Sequence, residues 1–194
     1  MKRLFSLFST LILALGLSVG QAQAKVTLSQ IFSDGAIVQR DKPLSIFGNA
    51  NPGELVTASL AGQKGTAIAG KDGKFVITLA PCSLPGSHEL KVLGENLVTV
   101  KDVRFGEVWM LAGDTSLDSA PPLDVSGLLS GVKIFKVGVN FSRSPESKLS
   151  GEWLSADHAK HNQLALSFAK KIKAVVDCPV AIVEVEGPKA PLRA

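Results

Sequence analysis

Hydroxyl side chains follow an apolar run near the middle of this sequence. Residues 106–118 read G-E-V-W-M-L-A-G-D-T-S-L-D, so the predicted strand Glu107–Ala112 leads through Gly113 into Thr115 and Ser116. Hydrolases often present a nucleophilic hydroxyl at such a strand end, where nearby backbone N–H groups can hold an oxyanion. The spacing therefore makes Thr115 and Ser116 candidate nucleophiles for acyl transfer. The alternative is an ordinary hydroxyl-rich turn that caps the segment after it.

Few side chains could serve as the base that such a nucleophile needs. The three histidines are His88, in a predicted hairpin, and His158 and His161, which precede a predicted helix. His158 and His161 are three residues apart and could share one helix face as metal ligands or as a base. Without a third clear ligand we expect solvated side chains and no metal site. The sequence also has no Gly-rich phosphate loop, so no cofactor is expected.

The first 24 residues predict export. Two basic residues open the chain, the apolar run Leu11–Val19 follows, and a small-x-small triplet that signal peptidase accepts ends at Ala24. The apolar run is shorter than the ~20 residues needed to span a bilayer. We therefore expect cleavage near Ala24, a periplasmic or secreted protein that begins at Lys25, and no membrane attachment.

Charge and cysteine content limit the classes of partner. The full sequence has 21 basic and 17 acidic residues. Signal removal takes two basic residues and leaves 19 against 17, a formal charge of +2, so nucleic acid is not an expected partner. In an exported chain a disulfide between Cys82 and Cys178 is chemically permitted, although the sequence does not show that the two approach.

Two patterns divide the mature chain. Residues 25–105 contain short β-rich runs with a turn signal about every ten residues, which predicts an antiparallel β-sandwich. Beyond residue 106 the pattern is strand, strand, helix and strand, which predicts an α/β unit with about three parallel strands. The predicted elements of that unit are Glu107–Ala112, Val132–Val139, Lys160–Val176 and Val180–Val185. Three parallel strands with one long helix form a thin sheet, so a protein partner could cover it.

Several segments resemble the sialate O-acetylesterase family over essentially the whole mature chain. The most specific is Phe32–Pro43, which reads F-S-D-G-A-I-V-Q-R-D-K-P. The other matching segments, in order, are Gly48, Asn51–Glu54, Asp72–Phe75, Val103–Trp109, Ile134–Val137 and Cys178–Val183. The resemblance implies an exported esterase that removes O-acetyl groups from sialic acids or related glycans. It also implies an SGNH-type catalytic domain with a flavodoxin-like sheet, joined to a β-sandwich.

The nucleophile motif of that family is altered here. The family normally has G-Q-S-N after the tryptophan, with the serine as nucleophile. In this chain Gly113 matches the glycine, Asp114 takes the glutamine position, Thr115 the serine position and Ser116 the asparagine position. The string G-D-T-S-L also resembles G-D-S-L with one residue inserted, which keeps Ser116 as the alternative nucleophile.

Other family features are also missing. In the segment Glu184–Pro191, which matches a glycine-rich family motif, only Gly187 and Pro191 fit. The family's later Q-G-E run and the Asp and His of the triad have no counterpart. We therefore expect a signal peptide (1–24), a β-sandwich (25–105) and a truncated SGNH-like α/β unit (106–194), catalytically weak or inactive. The alternative is a non-catalytic protein that binds a glycan or a protein partner, with Trp153 as a possible sugar platform.

Overall fold

A computed structural model of the chain describes residues 25–113, 131–138, 149–156 and 163–186. The predicted signal peptide, Thr115, Ser116, His158 and His161 lie outside the described residues. The elements are β1 (Thr27–Leu28), β2 (Ile37–Gln39), β3 (Leu44–Asn49), β4 (Leu55–Leu60), β5 (Gln63–Ile68), β6 (Lys74–Leu79), β7 (His88–Leu93), β8 (Leu97–Gly113), β9 (Val132–Val137), β10 (Gly151–Ser155), α1 (Gln163–Lys173) and β11 (Val180–Glu186).

Two antiparallel layers enclose the core of the amino-terminal part. β1, β3 and β6 form one sheet, and β5, β4, β7 and the first half of β8 form the other. Side chains of β4 and β6 alternate between exposed and buried positions, as expected when one face of a strand meets a core. Ile46, Val56, Ile77 and Val92 are fully buried between the layers.

β8 is a 17-residue strand that belongs to both parts of the molecule. Its first part pairs with β7, and Arg104–Gly106 pair in parallel with β2. Its last part, Glu107–Gly113, pairs in parallel with β11. β9 pairs in parallel with the other side of β11, and β10 adds to β9 in antiparallel orientation. The sandwich strands and the carboxyl-terminal strands therefore share one mixed sheet.

The predicted fold class is wrong. The described residues are 54% strand with one helix, and the mixed sheet has eight strands. Three parallel strands do lie close to the predicted positions, but they do not form a flavodoxin-like unit of parallel strands and helices. The physical reason is that β8 continues out of the sandwich without a break, so its backbone hydrogen bonds extend an existing sheet. In addition, Gly151–Ser155, which is not among the strands predicted from the sequence, pairs with β9. The division at residue 105 stays a prediction.

The segment Phe32–Pro43, which carries the resemblance, connects the two parts. The Asp34 carboxylate accepts a hydrogen bond from the Lys101 backbone N–H at 2.7 Å, and the Gly35 N–H donates to the Lys101 carbonyl at 2.8 Å. Gly35 has a φ of 80°, a conformation that favours glycine. Its carbonyl accepts a hydrogen bond from Lys133 Nζ at 2.7 Å. The turn thus ties β8 to β9, and its residues have a structural role.

No helix in the described ranges is long and apolar enough to cross a membrane.

Candidate active site

The carboxyl end of β8 is the centre of the predicted active site. Gly113 is the last residue of β8 and lies opposite Glu186 of β11 in the parallel register. The described part of β8 therefore reaches Gly113, two residues before Thr115 in the sequence, and the predicted nucleophile turn stays a prediction. Thr115 and Ser116 themselves lie outside the described residues, so the position of Gly113 is the part of the predicted site that the structure places.

A buried carboxylate lies next to this strand end. Glu184 is 3% exposed and is the fully buried charged residue of the described part of the chain. In the register of the parallel strands it lies opposite Leu111 of β8 and Lys136 of β9. Sequence analysis did not foresee the burial of Glu184.

An apolar pocket of about 250 Å³ lies between β8 and α1. Its walls include Trp109, Leu111 and Ile182 from the sheet and Phe168 from the helix. The rings of Trp109 and Phe168 meet edge to face, with centroids 5.2 Å apart. Because all of its lining side chains are apolar, this pocket suits an apolar group and not the hydroxyl-rich face of a sugar.

An ion pair fixes the other end of the parallel segment. Arg40 Nε donates to Glu107 Oε1 at 2.8 Å, and Gln39 Nε2 donates to Glu107 Oε2 at 3.2 Å. The Gln39 side-chain oxygen accepts the Val108 N–H at 2.9 Å. Hydrogen bonds from Arg40 and then Gln39 lower the pKa of Glu107 below its usual 4.5, and Glu107 raises the pKa of Arg40. This cluster positions β8 and does not supply a reacting group to the strand end.

The Glu107 cluster predicts a pH-dependent contribution to stability. A carboxylate whose pKa is lower in the folded state stabilises the fold above its unfolded pKa, and this contribution is lost as the pH falls through the folded value. We therefore expect Glu107→Gln to reduce the free energy of unfolding at pH 7. The difference from the unmodified protein should shrink below pH 4.5. Urea unfolding at a series of pH values measures the difference in unfolding free energy between the two proteins. A difference that stays constant down to pH 3 would contradict the lowered pKa of Glu107.

Two other candidates, His88 and Trp153, do not reach the strand end. His88 is half-buried in the sandwich, where its ring contacts Phe105 at 5.6 Å and its Nε2 lies 3.3 Å from the Leu84 carbonyl oxygen. Trp153 lies in β10, contacts Phe135 at 5.2 Å and donates from Nε1 to the Ile31 carbonyl at 2.9 Å. Its role is therefore packing. Among the described residues, no group of three or more His, Cys, Asp or Glu side chains could hold a metal ion, and both cysteines are free thiols.

A groove of about 430 Å³, which sequence reasoning missed, crosses the outer face of the three-stranded sheet. Phe47, which is 37% exposed, and Val76 lie opposite each other in the register of β3 and β6. Asn49 and Gln30 add amide groups, and Ser150 adds a hydroxyl from the segment before β10. An exposed aromatic ring with amides and hydroxyls around it suits a ligand with one apolar face and several polar groups. The sequence signal for this groove was Phe47, a phenylalanine at an outward-facing position of β3.

No protein-family model and no curated protein matches this sequence. Among solved structures, the chain is similar to a carbohydrate acetylesterase from Xanthomonas citri, with 26% identity and a TM-score of 0.75. The match covers 86% of this chain but 41% of that chain, so this chain spans less than half of its neighbour's length. The chain has a carbohydrate-esterase-like fold.

Two other solved structures give matches with low structural similarity. Domains 4 and 5 of the S-layer protein SbsC match with 12% identity and a TM-score of 0.29, over 43% of this chain and 51% of that chain. A structure described only as a protease matches with 21% identity and a TM-score of 0.27, over 41% of this chain and 18% of that chain.

Proposed function

We propose that this protein is an exported member of the sialate O-acetylesterase family that binds O-acetylated glycans and has lost efficient ester hydrolysis. The carbohydrate-esterase-like fold supports the esterase relationship. The sialate assignment rests on the resemblance of Phe32–Pro43 and the segments that follow it. Export rests on the pattern of the first 24 residues.

The proposed loss of activity rests on one observation, the altered sequence that follows β8. The strand reaches Gly113 in parallel pairing with β11 and then enters the altered sequence Asp114-Thr115-Ser116. A displacement of a reacting hydroxyl by ~1 Å can lower a rate by about a hundredfold. The methyl group of Thr115 restricts its rotamers and crowds the approach of a carbonyl.

Alanine variants of the turn test this function. We expect the unmodified protein, Thr115→Ala and Ser116→Ala to release acetate from an activated aryl acetate at the same slow rate, without a burst. The physical reason is that a hydroxyl nucleophile reacts slowly without an adjacent base, and His88, the histidine within the described residues, contacts Phe105 in the sandwich. Time courses of acetate release at several pH values measure the rate and show whether a burst occurs.

A far-UV spectrum of each variant is the control for folding. A burst in the unmodified protein that disappears in one folded variant would identify that residue as a working nucleophile. That result would contradict the proposed loss of hydrolysis.

The groove at Phe47 favours a second candidate, a glycan-binding protein without any esterase role. On this account, retention on an immobilised acetylated glycan should fall in Phe47→Ala because the exposed ring is lost. Leu93→Ala is the matched control, since Leu93 is an exposed apolar residue on another strand, 53% exposed. Equal retention of both variants, or no retention of the unmodified protein, would count against this candidate.

A further inference from the structure

The outer face of the three-stranded sheet forms the floor of the groove at Phe47. In the register of β3 and β6, Phe47 lies opposite Val76, and Asn49 lies opposite Lys74. Thr27 of β1 lies opposite Asn49 on its other side. Side chains two residues apart along a strand point the same way and are about 7 Å apart, so these five side chains share one face. The floor therefore has an apolar pair beside a polar row that ends in a lysine.

Two further segments line the groove beside this floor. They are Gln30 and Leu149–Ser150. The Gly151 backbone N–H donates to Gln30 Oε1 at 2.7 Å, and the Ser150 carbonyl accepts the Gly138 N–H at 2.8 Å. These hydrogen bonds fix both segments relative to the sheet. The volume of about 430 Å³ lies within the range of small-molecule sites.

Lys74 carries the only charge among the described residues that line the groove. Its Nζ lies 3.6 Å from Asp72 Oδ2, which is beyond hydrogen-bond distance, and both side chains are more than half exposed. An exposed ion pair of this kind contributes little, so the Lys74 ammonium group keeps donors for another acceptor. The groove therefore presents a positive charge next to an exposed aromatic ring.

We propose that this groove binds a sugar that carries a carboxylate, with the carboxylate at Lys74 and the apolar face of the ring on Phe47. Asn49 lies next to Lys74 in the register and supplies a donor and an acceptor for sugar hydroxyls. A charge-assisted hydrogen bond is roughly twice as strong as a neutral one, so the carboxylate selects the ligand. The inference rests on the proposed binding of a glycan and adds the chemical group that is recognised.

The groove and the candidate nucleophile turn are separate features. β8 contributes none of the described residues that line the groove. Recognition by the groove therefore does not depend on the acetyl ester on which a nucleophile would act. We expect a de-acetylated acidic sugar to bind as tightly as its acetylated form. This behaviour distinguishes the groove from a substrate site at the end of β8.

NMR titration of the isotope-labelled protein with a matched pair of ligands tests the proposal. The pair is the methyl glycoside of sialic acid and its carboxyl methyl ester, which lacks the charge. We expect the acid to shift the amide resonances of Phe47, Asn49 and Lys74, and to bind about fivefold more tightly than the ester at low ionic strength.

Two variants with opposite expected effects show whether Lys74 causes this preference. Lys74→Gln should remove it, because the charge is lost. Asp72→Asn should increase it, because a competing carboxylate is lost while the side-chain oxygen that accepts the Lys74 N–H at 3.2 Å is kept. Lys64→Gln is the matched control, since Lys64 is an exposed lysine of β5 in the other sheet, and it should keep the original preference.

Three results would overturn the proposal. They are an ester that binds as tightly as the acid, a preference that survives Lys74→Gln, and shifts confined to residues outside the groove. Binding that requires an O-acetyl group would also overturn it, but would leave the proposed function in place. If neither acetylated nor de-acetylated sialic acid binds, both this proposal and the proposed function fail.

Discussion

Replacement of Gly106 by alanine is expected to destabilise the protein by about 3 kcal/mol or more, which is a large part of a typical folding free energy. A Cβ atom at this position would lie within 3.0 Å of the Pro179 carbonyl group and of the Ile37 side chain. The contacts with Pro179 are with its backbone O and C atoms, which cannot rotate away as a side chain can. The variant must therefore separate β8 from the start of β11. Urea unfolding measures the loss.

Gly53→Ala is the matched control for this substitution. Gly53 has a φ of 79°, but nothing lies within 4 Å of a Cβ atom built there. Its replacement should cost about 1–2 kcal/mol, from backbone strain alone. If Gly106→Ala is less destabilising than Gly53→Ala, the close approach of β8 and β11 at Pro179 is not as described.

Removal of the Phe135 ring is expected to cost about 3–5 kcal/mol. Phe135 is fully buried in β9, and its ring contacts Trp153 of β10 at 5.2 Å. Trp153 in turn donates to the Ile31 carbonyl, so this cluster joins the carboxyl-terminal strands to the amino-terminal segment. Phe135→Ala leaves a cavity at that junction. Urea unfolding followed by tryptophan fluorescence measures both the loss and the change around Trp153.

Phe47→Ala removes the same atoms from a ring that is 37% exposed. It should cost about 1–2 kcal/mol, less than Phe135→Ala, because part of the ring already contacts water and the rest packs against Phe32. Similar losses for the two variants would contradict the assigned burial of Phe135 between β10 and the amino-terminal segment.

Local sequence patterns predicted individual strands but not the fold class. The alternating apolar residues of β4 and β6 and the turn signals between them correctly indicated antiparallel strands with one buried face. They could not indicate that β8 continues from one part into the other, because periodicity along a strand does not identify its partners. They also missed β10, whose sequence Gly151–Ser155 has no clear alternation and becomes a strand through its pairing with β9.

The candidate nucleophile turn stays a prediction, because Thr115 and Ser116 lie outside the described residues. The apolar run before Gly113 indicated a strand there, and β8 includes it. The bond between Arg40 and Glu107 joins residues 67 positions apart, and a single sequence does not show such a distance. The burial of Glu184 was not expected because acidic side chains are rarely fully buried.

The most direct test of the proposed function measures two quantities in one sample of this protein with O-acetylated sialic acid. These are the binding of the sugar and the release of acetate. Sodium acetate at known concentration is the control that shows that acetate detection works. We expect saturable binding by this protein, with acetate release at least about a hundredfold slower than that of an efficient esterase. Rapid release of acetate would contradict the loss of hydrolysis, and absence of binding would contradict the assignment to acetylated glycans.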